Sequence, residues 1–128
     1  MPVYRTPFVT LTNDTAIYAS GDALGAKNSF PNVPEHGTIM AVVVIDRDSE
    51  AVNLDIVFFT ADIAGSADNA AFAPTDAELQ DCLGAVLVDS WKTFSTNSLG
   101  VETNIALPYW APRGTLYFQC VTRGTPTY

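Results

Sequence analysis

Basic residues are scarce in this chain: Lys and Arg number 6 against 14 Asp and Glu, a formal net charge of −8 over 128 residues. Nucleic-acid binding needs a basic footprint to neutralise phosphates, so the balance argues against DNA or RNA as a partner. Histidine is nearly absent too. Any Ser–His–Asp or Cys–His site would have to use His36, the single histidine, because such a site needs an imidazole base. His36 sits in Pro34-Glu35-His36-Gly37 with no GxSxG elbow anywhere in the chain, and reads as a loop residue ahead of a strand. The two cysteines, Cys82 and Cys120, match no CxxC or zinc spacing. They can form one bridge, but two buried free thiols are the expectation for a protein made in a cytosol. Long apolar runs are also missing. The longest, Ile39–Ile45, has seven residues, against roughly 20 for a spanning helix. No membrane partner is therefore expected, and Met1–Pro7 lacks the apolar stretch of a secretory signal.

What is present is a period of two. Val52, Leu54, Ile56 and Phe58 share one face of a strand whose other face carries Asn53 and Asp55. Leu116, Phe118 and Cys120 alternate with Tyr117, Gln119 and Val121; Val101, Thr103, Ile105 and Leu107 alternate until Pro108 ends the pairing. Ile39–Ile45 is apolar on both sides, which predicts a strand inside the sheet and covered twice. Phe8–Leu11 and Ala85–Val88 are shorter strand candidates. Asp46–Glu50 reads as a hairpin turn between two strong strands. Residues 18–37 hold Gly21, Gly25, Pro31, Pro34 and Gly37 and read as a long surface connection.

One helix is expected, near 75–83. Thr75-Asp76-Ala77-Glu78 is a capping box, Asp76 favours the dipole, Leu79, Cys82 and Leu83 give an apolar face, and Gly84 is the stop. The pattern as a whole predicts a single all-β domain, residues 1–128. It is a two-layer antiparallel β-sandwich of jelly-roll type with extended terminal segments, an open barrel being the other possibility.

No catalytic, cofactor or metal residues are assigned. Asp14, Asp22, Asp46, Asp48, Glu50 and Asp62 fall in expected turns, and Asp55 falls on the polar face of its strand. Asp46, Asp48 and Glu50, and the stretch Asp62, Ser66, Asp68 and Asn69, offer hard oxygens without EF-hand order, and read as Asx turns. Tyr109 and Trp110 lie between Pro108 and Ala111-Pro112-Arg113. They read as a rigid platform with three possible uses: a partner anchor, an end cap on the core, or a surface for stacking a sugar. The candidate partner contacts are Tyr4, Phe8, Tyr109, Trp110, Arg113 and Tyr128.

Several stretches, in order, resemble a known family. They are Ala16-Ile17-Tyr18-Ala19-Ser20-Gly21-Asp22-Ala23-Leu24-Gly25, the Val-rich strand ending in Ile45-Asp46, and Asp55-Ile56-Val57-Phe58-Phe59. Next come Ala67–Phe72 leading into Thr75-Asp76, Leu83-Gly84, Leu116-Tyr117 and Val121–Tyr128. Together they resemble the small decoration, or cement, proteins of tailed-bacteriophage heads. The resemblance implies a non-enzymatic β-sandwich virion protein without cofactors, seated on the capsid exterior. It further implies contact with the major capsid protein and self-association, with a trimer expected. A carbohydrate- or receptor-binding module of a phage tail or fibre is the alternative.

Overall fold

Leu54–Phe59 is the strand whose pattern is clearest, and in the computed structural model, which describes residues 3–128, it lies within the larger sheet. In chain order the strands are β1 (Ala23–Pro31), β2 (His36–Ile39), β3 (Val42–Asp46), β4 (Leu54–Phe59), β5 (Cys82–Val88), β6 (Trp91–Thr93), β7 (Ser98–Glu102), β8 (Leu107–Trp110) and β9 (Thr115–Thr122). One short helix, α1 (Asp76–Gln80), precedes β5. All pairings are antiparallel, in the orders β1-β9-β4-β5, β2-β8 and β3-β7-β6. No helix among the described residues is long and apolar enough to cross a membrane.

Alternation along β4 builds two cores. Leu54, Ile56 and Phe58 face inward with Leu24, Val86, Val88, Leu116, Phe118 and Cys120, and onto this layer pack Ile39, Val42, Val44, Leu107 and Tyr109 from the smaller sheets. That is sandwich-like packing of sheets. Val57 and Phe59 face the other way with Val121, where Ile63 and Phe72 from the segment between β4 and α1 cover them. The buried Gln119 side chain holds that segment down. Its Nε2 donates to the carbonyls of Gly25 and Ser66, and its Oε1 accepts from the Ser66 N–H. A fully buried amide satisfied three ways costs little and fixes register.

Several expectations require correction. Residues 18–37 are no mere connection, because β1 runs through them. Gly25 adopts a left-handed φ of +79° where the β1–β9 register shifts, and this bulge hides the alternation. Phe8–Leu11 forms no strand. Ile39–Ile45 breaks at Met40-Ala41 into β2 and β3, because Asn104 and Ala106 take left-handed φ values (57° and 52°) and kink the partner run between β7 and β8. It is not covered twice either, since Val43 is 38% and Ile45 50% exposed. Pro108 lies inside β8, opposite Thr38; β8 pairs on one side only, so a missing N–H costs nothing there.

Asp46–Glu50 joins different sheets and is not a hairpin. The Asp46 carboxylate accepts from the Asp48 and Ala51 N–H groups (2.9 and 2.8 Å) and turns the chain across the sandwich edge. The helix is shorter than 75–83. Its capping box forms as expected, but the Asp81 N–H turns back to Glu78 and Leu79, and Cys82 already pairs with Phe59. Gly84 is a bulge residue within β5 (φ +145°), not a helix stop.

Candidate interaction surface

On the outer side of the smaller sheets the ladder sets apolar side chains in cross-strand pairs, Val43 opposite Val101 and Ile45 opposite Leu99. Their inward neighbours Val42 and Val44 enter the core, so these four point away from it. Directly opposed aliphatic pairs stabilise the sheet, and here they form an apolar patch bordered by the exposed Lys92, which lies on β6 opposite Leu99. A shallow hollow of about 310 Å³ adjoins the patch, lined by Ser90, Trp91, Lys92, Leu99 and Val101. At its margin the Glu102 carboxylate accepts from the Asp89 and Ser90 N–H groups, both 2.9 Å, which hold its pKa below the usual range. The turn after β5 is thereby anchored to β7.

Tyr109 and Trp110 do not form a common platform. They are consecutive strand residues and point to opposite faces. Tyr109 turns inward over Gly37, where a Cβ would stand 2.7 Å from its ring. Burial, and then the nearby Tyr4 hydroxyl, push its phenol pKa upward. Trp110 is 48% exposed and lies nearly parallel to the His36 ring across the ladder, centroids 6.5 Å apart. Arg113 is exposed in the turn before β9.

The two terminal segments differ. Residues 3–12 are extended, with Val3, Tyr4 and Phe8 exposed, Arg5 above the Phe8 ring, and Val9 and Leu11 against the main core. Thr125–Tyr128 instead lies against its own domain. The Pro126 carbonyl accepts from the Tyr18 N–H (2.9 Å), and the half-buried Tyr128 ring meets Tyr18 edge-on. Burial first, then the negative charges of Asp46 and Glu50, raise the Tyr128 pKa.

Asp68 is a structural tie. Its carboxylate accepts from the Tyr18 hydroxyl (2.7 Å), the Gly25 N–H (2.8 Å) and the Asp14 N–H (2.7 Å). Burial and this bond to Asp68 raise the Tyr18 pKa. Asp14 in turn accepts from the Ala16 N–H and from Asn69, which keeps its own pKa low. Both cysteines are free thiols, and burial pushes Cys120 up to about 12. No group of three or more His, Cys, Asp or Glu able to hold a metal comes together among the described residues.

The aliphatic face is the feature that sequence reasoning missed. Val42 to Ile45 are all apolar, so the pattern shows no difference between the covered and the open side. Comparison with family models, curated proteins and solved structures finds no match for this chain.

Proposed function

We propose that the chain is a structural, non-enzymatic virion protein that decorates or cements the outer surface of a bacteriophage capsid, binding the major capsid protein and self-associating as a trimer. The resemblance in ordered sequence stretches supplies the family. The observation that carries the reading is the aliphatic face on which Val43 and Ile45 are exposed beside the partly buried Leu99 and Val101. An apolar patch bordered by Lys92, in a chain of net charge −8, is a contact surface in search of a partner. The acidic remainder suits the outside of a DNA-filled shell and keeps off the packaged genome.

We read the topology as an abbreviated jelly roll. First and last strands, β1 and β9, lie side by side, and the kinked β2–β3 run lies beside the kinked β7–β8 run. The departure is that β5 follows β4 within one sheet, with α1 between them, where a full jelly roll would cross to the other layer.

The test is co-sedimentation with capsid shells stripped of this protein. The wild type should bind to saturation and Ile45→Lys should not, while both unfold at similar temperatures. Equal binding by the two, or no binding by either, refutes the reading. A second reading, a sugar- or receptor-binding module, is favoured by the exposed Trp110 ring stacked on His36. It rests on that pair without Tyr109, and a glycan array showing no Trp110-dependent signal ends it.

A further inference from the structure

We propose that residues 3–8 of one copy add as an extra antiparallel strand to the free edge of β5 in a neighbouring copy, linking copies head to tail. This rests on the self-association in the reading above and is independent of what shell, if any, the copies coat.

The donor is a segment with nothing to pair with. Among the described residues, 3–12 make no hydrogen bond, backbone or side chain, although Val9 and Leu11 are fixed against the core. Extended backbone without partners is the state from which a strand can be added to another sheet. The acceptor is equally incomplete. β5 pairs with β4 alone, so alternate N–H and C=O groups along its other side point away from the sheet. Its sequence, Cys82-Leu83-Gly84-Ala85-Val86-Leu87-Val88, has no charge and no proline, the devices that normally blunt an exposed edge.

The arm's root and its acceptor lie at different edges of the sheet. The root of the arm is fixed beside β1, where Leu11 lies against Gly25, and β1 and β5 are the opposite edges of one four-stranded sheet. A donor at one edge and an acceptor at the other give a heterologous contact, the kind that closes into rings. Length fits as well: six extended residues reach roughly 20 Å, close to the span of a seven-residue strand. Pro7 is tolerable because the added strand becomes the new edge. Charge fits too. The one charged side chain of residues 3–8 is Arg5, and β5 is bracketed by Asp81 and Asp89.

The test is sedimentation equilibrium of the full chain, of a variant lacking residues 3–8, and of Leu87→Lys, with backbone hydrogen exchange read along β5. Leu87 is half exposed on this edge strand, so the lysine blunts the edge without opening the core. Circular dichroism checks that each variant is folded. The full chain should associate with β5 amides protected, and both variants should weaken association about 100-fold, the loss of a few backbone bonds. A full chain that stays monomeric to near-millimolar concentration overturns the proposal. So does association that survives arm removal, including association that Leu87→Lys alone abolishes, which would mean β5 pairing with β5. Arm-dependent association by a chain that binds no capsid shell supports this proposal and defeats the capsid reading, so the two fail separately.

Discussion

Replacing Asp68 with alanine removes the acceptor that ties the 14–18 segment and β1 to the long excursion after β4. Two part-buried donors lose their acceptor, the Tyr18 hydroxyl and the Gly25 N–H, while the exposed Asp14 N–H keeps the Tyr18 hydroxyl oxygen as its other acceptor. A bond to a charged acceptor is worth about 1.5 kcal/mol or more, so the two part-buried bonds together come to about 3 kcal/mol. With an unfolding entropy of about 2.1 cal/mol/K per residue, 128 residues give about 0.27 kcal/mol per kelvin, and Tm should fall by about 11 °C. Scanning calorimetry at neutral pH is the assay. Tyr18→Phe alone should cost about 1 kcal/mol, and the double variant less than the sum of the two, because both single substitutions remove the shared Tyr18–Asp68 bond. A fall in Tm below about 2 °C, or full additivity in the cycle, would refute the role given to Asp68.

Ile45→Lys should change stability by no more than about 0.5 kcal/mol, since the side chain is half exposed; a large fall in Tm would mean that this face is part of the core. In the native protein Cys82 should react with a thiol reagent well before Cys120, whose thiol is buried with a pKa near 12; equal rates would contradict the burial. Tyr18, Tyr109 and Tyr128 all have raised phenol pKa values in the fold. Their contribution is therefore fully present below the ordinary tyrosine pKa of about 10 and is lost as pH rises beyond it. Ultraviolet titration should show them ionising late or together with alkaline unfolding, whereas normal titration in the folded state would contradict the packing. Asp14, Glu78 and Glu102 have lowered pKa values, so their contribution is present above the ordinary carboxylate range and lost as pH falls through their folded values. Acid unfolding followed by circular dichroism should shift to higher pH in Glu102→Gln, and an unchanged midpoint would refute this.

Local chemistry was legible in the sequence wherever one residue type decides the outcome. The Thr75–Glu78 capping box forms as read, and the Leu54, Ile56, Phe58 face lies inward as its period of two requires. Legibility failed where backbone irregularity or tertiary pairing decided. β1 was hidden by the bulge at Gly25, and the helix lost residues 81–83 to the pairing of Cys82 with Phe59. The hairpin expected at Asp46–Glu50 became a bridge between sheets, a choice that turn residues alone do not record.

For the candidate surface the limit was of another kind. A run such as Val42–Ile45 has the same residues on both sides, and which side stays open depends on where the second layer ends. Tyr109 and Trp110 were legible as a special pair, but their separation onto opposite faces follows from β8 being a strand, where the sequence pattern ended the pairing at Pro108.

Quantitative mass spectrometry of purified phage particles tests the central claim most directly. The account predicts this chain at a copy number comparable with that of the major capsid protein. A handful of copies per particle, or none, would contradict it.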